Sequence, residues 1–216
     1  MAHQQRFGAA LVLASALIVA GAAGTAQAAT TGNLLKNGSA QDGPSLYPWV
    51  RDSRYCAGSS HTFVVRRYTA SDVPADGPRF GKRLFSGSNA AGDISPKCML
   101  QVIDLRPYRV HINTGLALWT LSAYMGVGND SDTDHIGSRA CFWDINLDQI
   151  EHCKTGPYAD GPSSDSLGLY TATAHVPAAA RWVAIVFSAI DKPSDPAHPD
   201  FRNRGCFDEA KFTLKY

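Results

Sequence analysis

Apolar and polar residues alternate along this chain in short bursts, and no long amphipathic helix is predicted. The C-terminal residues show the pattern most plainly. Phe212, Leu214 and Tyr216 alternate with Lys211, Thr213 and Lys215, the period-2 signature of a half-buried strand. Near the other end, 33–43 (NLLKNGSAQDG) reads as an opening strand that closes against 207–216. Further strands are predicted at 61–68, 83–87 and 99–105, with a short apolar segment at 46–50 and one helical turn around Pro107 within 106–113. Two stretches, 114–125 (TGLALWTLSAYM) and 182–190 (WVAIVFSAI), are apolar on both faces and read as central strands covered on each side. A hairpin is predicted from 138–145 and 149–153, and 167–176 alternates until Pro177 ends it. About ten short strands separated by Gly, Pro and Asp turns make an antiparallel β-sandwich, all-β, in a single domain over 29–216.

The first 28 residues stand apart from this pattern. A short polar start with His3 and Arg6, an apolar run over 9–23 and Ala26-Gln27-Ala28 predict a signal peptide cleaved after Ala28. The run is short for a bilayer span and lacks a basic stop-transfer flank, so the expected product is secreted, with no membrane insertion. Once Arg6 is set aside, the 19 acidic residues are balanced by an equal basic count. Such a surface has no general attraction for nucleic acid.

All five cysteines fall in the exported part, where disulfides persist. No C-x-x-C pair exists, which disfavours a zinc knuckle or a redox motif. Cys141 and Cys153 are symmetric about Leu147 and face each other if that segment turns a hairpin. Cys56–Cys98 is the second expected bridge, leaving Cys206 free; Cys98–Cys206 and Cys56–Cys206 stay open alternatives.

Catalytic signatures are absent from the sequence: it has no G-x-S-x-G elbow, H-E-x-x-H pair, P-loop or G-x-G-x-x-G. The six histidines of the mature part (His61, His111, His135, His152, His175, His198) show no ligand spacing. Asp144 and Asp148 flank the proposed turn, where Asp serves local hydrogen bonding, so an acid/base pair with Glu151 is the weaker reading. The stretch 128–135 (GNDSDTDH) places Asp130, Asp132 and Asp134 at alternate positions, as calcium loops do. His135 stands where an EF-hand needs glycine, and no closing Glu follows, so only a looser calcium site is expected there.

The stretch 33–43 with Trp49 downstream, QVIDL over 101–105, LSAYMG over 121–126 with Asp134, VPA over 176–178 and FDEAKF over 207–212 occur in a familiar order. Together they resemble the galactose-binding-domain-like jelly rolls, a superfamily that includes many bacterial carbohydrate-binding modules. The resemblance implies a jelly-roll sandwich and, in many members, a structural calcium held at positions matching Gln41 and Asp208. The family usually has Glu where this chain has Gln41.

The resemblance also implies that 114–125 pairs with the closing strand, so that loops 126–135 and 191–205 emerge at one end. Asp130, Asp132, Asp134, Asp200, Phe201, Arg202 and Arg204 then form a candidate ligand-binding rim. Sugar recognition asks for aromatic faces and planar polar groups. The aromatic candidates are Tyr47, Trp49, Tyr55, Trp143, Tyr158 and Tyr170, while Trp119 and Trp182 are expected in the core. The function expected is a secreted, non-catalytic carbohydrate-binding protein. The alternatives are a structural or protein-interaction domain and, less favoured, an extracellular polysaccharide hydrolase or lyase.

Overall fold

The computed structural model describes residues 28–59, 61–68, 81–87, 95–127, 134–160, 167–190 and 205–216. Among them nine strands form two antiparallel sheets. One contains β1 (Val64–Arg67), β2 (Arg83–Ser86), β9 (Cys206–Lys215), β4 (Leu118–Gly126) and β7 (Gly168–His175), in the order β1-β2-β9-β4-β7. The other contains β3 (Lys97–Asp104), β8 (Trp182–Ile190), β5 (His135–Trp143) and β6 (Lys154–Asp160), in the order β3-β8-β5-β6. The predicted antiparallel β-sandwich is the observed fold.

Alternation decides what lies between the sheets. Trp119, Leu121, Ala123 and Met125 of β4, and Val183, Ile185, Phe187 and Ala189 of β8, join one buried cluster with Phe207, Phe212 and Leu214 of β9. At its centre Phe187 stacks on Phe207 across the sheets, with centroids 4.0 Å apart and planes at 8°. Trp49 meets Phe85, Phe187 and Phe207 edge-on. Its Nε1 donates to the Asn37 carbonyl at 2.9 Å, so the indole is buried without an unsatisfied donor. Each fully buried large side chain of this kind contributes roughly 1.5–3 kcal/mol.

The opening stretch is not a strand. Residues 33–43 turn, with Asn37 and Ala40 at positive φ, and only Thr30 bridges Lys215. Asn33 explains this: its Oδ1 accepts from both the Leu35 and Phe212 amides, replacing ladder bonds with side-chain bonds. The turn still docks on β9. Ala210 N–H donates to the Gly38 carbonyl, and a Cβ on Gly38 would lie 2.2 Å from the Ala210 oxygen. Glu209, at φ 50°, marks the β-bulge where the β4–β9 register shifts.

Elsewhere the boundaries move. Gly115, at φ 72°, ends the turn after α1 (Arg109–Ile112), so β4 begins at Leu118 rather than at 114. A 3-10 turn, Arg106–Tyr108, precedes α1 with Pro107 in its first turn, consistent with the predicted helical turn. The predicted return arm starts with the Gln149–Trp143 bridge and the Ile150–Phe142 bond, but the strand itself, β6, runs on past it through Gly156 and Pro157, which concealed it. Proline is tolerated because β6 is an edge strand. Asp144 caps the turn between them, its Oδ1 accepting from the Asn146 and Asp148 amides at 2.8 and 3.0 Å.

Both expected bridges form. Cys141–Cys153 joins β5 to the approach of β6, and Cys56–Cys98 ties the 46–59 segment to β3, leaving Cys206 free and buried. No helix of the described residues is long and apolar enough to cross a membrane.

Candidate functional site

The outer face of the four-stranded sheet carries a second, smaller apolar cluster. Cys98 and Leu100 of β3, Ala184 and Val186 of β8, and Cys141 and Trp143 of β5 are buried there, with Tyr55 and Trp182 packed against them. The 46–59 segment lies over this face, held by the Cys56–Cys98 bridge and by paired backbone bonds between Val50 and Leu100 of 2.9 and 2.7 Å. Trp182, expected in the core, belongs to this outer face instead. An apolar strand whose two faces are both covered does not reveal which face meets the other sheet.

Beside that covered area the sheet is open. His135, Gly137, Ser138, Arg139, Cys153, Thr155, Tyr158, Ser188 and Ile190 line a depression of about 360 Å³. Its shape follows from a glycine and an irregular pairing. A Cβ on Gly137 would lie 2.8 Å from the Tyr158 ring, so the phenol lies against bare backbone of the neighbouring strand. On the opposite, core-facing side of the same strand pair, a Cβ on Gly156 would lie 2.5 Å from Ser138 Oγ and 3.0 Å from Leu121, and that buried hydroxyl donates to the Pro157 carbonyl at 3.0 Å. The β5–β6 register shifts between Gly137 and Arg139, the kind of irregularity that re-aims side chains.

The Tyr158 ring stacks beside His135, at 5.8 Å and 23°, and the residue is 48% exposed. Arg139 forms an exposed wall, and its guanidinium donates to the Tyr55 backbone carbonyl. Tyr55 meets Trp143 edge-on at 5.1 Å, and burial raises its phenol above the usual range. Two further arginines on this side are ion-paired. Arg54 holds the Asp52 carboxyl below its ordinary value, and Arg106, over Trp182 at 4.3 Å, does the same to Asp104. The result is an open depression lined by an aromatic platform, hydroxyls and a guanidinium on a disulfide-clamped sheet.

The loop rim expected from sequence is only partly visible. Asp130, Asp132, Asp200, Arg202 and Arg204, with Phe201, lie outside the described residues. Asp134 is 2% exposed and is therefore not a rim residue; it precedes β5 where the chain enters the sandwich. The strand ends that flank those two stretches are described. Gly126 pairs with Cys206 in one sheet and His135 with Ile190 in the other, so the strand ends that flank both stretches lie at one end of the sandwich. That end is also where His135 and Ile190 border the depression.

Of the aromatic candidates, Tyr158 and Tyr55 lie at the depression or against its wall, with Trp143 beneath Tyr55. Tyr170 packs on the core, and Tyr47 is exposed on the 46–59 segment. Sequence reasoning did not single out Ser138, Arg139, Thr155 or Ser188. Gly137, opposite the Tyr158 ring, is the signal that would have found this place.

Gln41 and Asp208 do not fit a calcium ion. Gln41 Nε2 donates to the Ser39 and Arg83 carbonyls at 2.6 and 2.7 Å, and Oε1 accepts from the Lys82 amide at 2.9 Å. The Lys82 N–H fixes which end of the carboxamide is oxygen, so a donor faces the carbonyls that a hard cation would need. Asp208 is fully buried, and its carboxyl accepts from the Tyr68 hydroxyl and, at 2.8 Å, from the Glu209 amide. Burial pushes its pKa up to about 7. Among the described residues no group of three or more His, Cys, Asp or Glu side chains is placed to hold a metal.

No protein-family model matches this chain, and no curated protein sequence matches it. Solved structures do. The carbohydrate-binding module TmCBM61, solved with β-1,4-galactotriose, is 11% identical with a TM-score of 0.50, over 84% of this chain and 98% of its own. The chain shares the antiparallel β-sandwich fold of that module. Tailspike protein 4 of bacteriophage CBA120, in its enzymatically active domain, is 16% identical with a TM-score of 0.51 over 83% of this chain. The chain spans only 21% of that tailspike. At these identities the likeness concerns the fold; the depression is described from this chain's own residues.

Proposed function

We propose that this protein is a secreted, non-catalytic β-sandwich that binds carbohydrate through the depression on the outer face of β3-β8-β5-β6. The observation that carries the reading is Tyr158. Its ring lies against Gly137, half exposed, beside His135 and with Thr155 and Ser188 around it. An aromatic face takes the C–H surface of a pyranose, and hydroxyl and guanidinium groups take its hydroxyls. The fold shared with TmCBM61, a carbohydrate-binding module solved with a galactotriose, supports the same class of ligand.

The non-catalytic part rests on how the carboxylates near the hairpin are engaged. Asp144 caps its own turn and Glu151 pairs with Lys154 at 2.8 Å, so neither faces a partner across a cleft. Export is supported by the two disulfides, which persist in oxidising compartments. The leader that would direct it lies outside the described residues.

Retention on a panel of insoluble and immobilised polysaccharides tests the reading. The wild-type protein is expected to be retained by at least one glycan, and Tyr158→Ala to bind about fivefold or more weakly, as loss of one stacking contact of about 1 kcal/mol requires. Failure to bind any glycan, with a native circular dichroism spectrum, would overturn the function. Unchanged retention of Tyr158→Ala would overturn the placement of the site.

A further inference from the structure

The charges along the outer face of the four-stranded sheet are unevenly matched. Arg54 and Arg106 each have a carboxylate partner, Asp52 at 2.6 Å and Asp104 at 2.8 Å. Arg139, the arginine that lines the depression, has no carboxylate in ion-pair reach among the described residues; its partner is the neutral carbonyl of Tyr55. That single bond uses one of five guanidinium N–H donors and holds the group in place. Of the other described residues lining the depression, a histidine, a tyrosine, a serine, a threonine, an isoleucine and a disulfide cysteine face it, so no described carboxylate lines it.

We infer that the depression selects an acidic glycan, a chain of carboxylate-bearing (uronate) pyranoses, with Arg139 pairing the carboxylate while Tyr158 supports the ring. The inference rests on the carbohydrate-binding reading above and adds the charge of the ligand. The chemistry is specific on two counts. A guanidinium is a planar fork that matches a carboxylate with two parallel hydrogen bonds, stronger than bonds between neutral groups. It is also preorganised, because the Tyr55 carbonyl orients it before any ligand arrives, and the Cys56–Cys98 bridge fixes the segment that carries that carbonyl. A neutral sugar would leave the cation without the partner that the two arginines nearby possess.

The test pairs each acidic polysaccharide with a version differing only in charge. Polygalacturonate, alginate and glucuronoxylan are compared with their methyl-esterified forms, using full-length mature wild type, Arg139→Gln, Arg139→Lys and Tyr158→Ala, with a sulfated neutral-backbone glycan as a further arm. The wild type is expected to bind at least one free acid about tenfold more tightly than its ester, the effect of one charge-assisted pair. Arg139→Gln, which keeps a donor for Tyr55, should abolish that preference while leaving residual binding. Arg139→Lys should restore part of it, and Tyr158→Ala should weaken acid and ester alike.

Equal binding of acid and ester overturns the inference and leaves the carbohydrate reading standing. So does a preference that survives in Arg139→Gln, or retention confined to neutral glycans. Preference for the sulfated arm over every uronate overturns the assignment of the carboxylate. Binding to nothing overturns both readings together.

Discussion

Two polar places in this sandwich use the same side-chain chemistry to opposite ends. At the junction between the N-terminal turn and β9, two polar side chains are consumed internally: Gln41 joins Ser39, Lys82 and Arg83, and Asp208 takes the Tyr68 hydroxyl and the Glu209 amide. On the outer face of the four-stranded sheet, Arg139 gives one bond to Tyr55 and is otherwise exposed beside the half-exposed Tyr158. The first arrangement closes the fold; the second leaves donors facing solvent in a preorganised frame, as a recognition surface requires. Polar residues alone do not mark a site. What separates the two places is whether the hydrogen-bonding capacity is already satisfied.

The largest expected departure tests the closed junction. Asp208 has a carboxyl pKa near 7 in the folded protein against 3.8 as its ordinary value, because burial disfavours the charge. The unfolded chain therefore releases this proton at lower pH than the folded one. The resulting stability is fully present below about pH 4 and is lost as pH rises through about 7. Asp208→Asn should remove this dependence and leave the variant less sensitive than wild type by up to about 4 kcal/mol between pH 4 and 8, at 1.36 kcal/mol per unit. Urea unfolding at both pH values measures it; parallel pH profiles for the two proteins would show that Asp208 is not titrating in this way.

Next comes the frame of the open face. Replacing Cys141 and Cys153 by serine should cost about 3 kcal/mol through loop-closure entropy, and should also reduce glycan retention because Cys153 lines the depression. Equilibrium unfolding and pull-down on the same preparation would separate these effects. Lost stability with unchanged retention would mean that the open face does not depend on its clamp.

The smallest expected effect sharpens what closes the junction. Gln41→Glu replaces a donor by a carboxylate against the Ser39 and Arg83 carbonyls and should destabilise by about 1–3 kcal/mol in chelator. Added calcium should recover that loss in the variant and leave the wild-type melting temperature unchanged. A wild-type melting temperature that falls on adding chelator would overturn the assignment of Gln41 as a metal-independent link.

Much of the fold was legible in the residues. The alternation in 211–216, the doubly apolar 182–190 and the proline-terminated 167–176 all became strands, because side-chain period is a local property of an extended backbone. The Cys141–Cys153 bridge was readable from its symmetry about Leu147, and Asp144 from its place beside the turn. The opening stretch misled because Asn33 offers the backbone an alternative to the ladder, and β6 was hidden by a proline that only an edge strand accommodates.

The residue pattern by itself thus determined the class of fold and the Cys141–Cys153 tie, while the partner of Cys56 and the free Cys206 were decided by the structure. The depression was decided only by the tertiary structure. Arg139 meets a carbonyl 84 residues away in the chain, Tyr158 lies against a glycine of the neighbouring strand, and both depend on a register shift. Alternation tells which residues share a face. It carries no information about which strands become neighbours, at what offset, or which outer face is left open, because those depend on packing between elements distant in sequence.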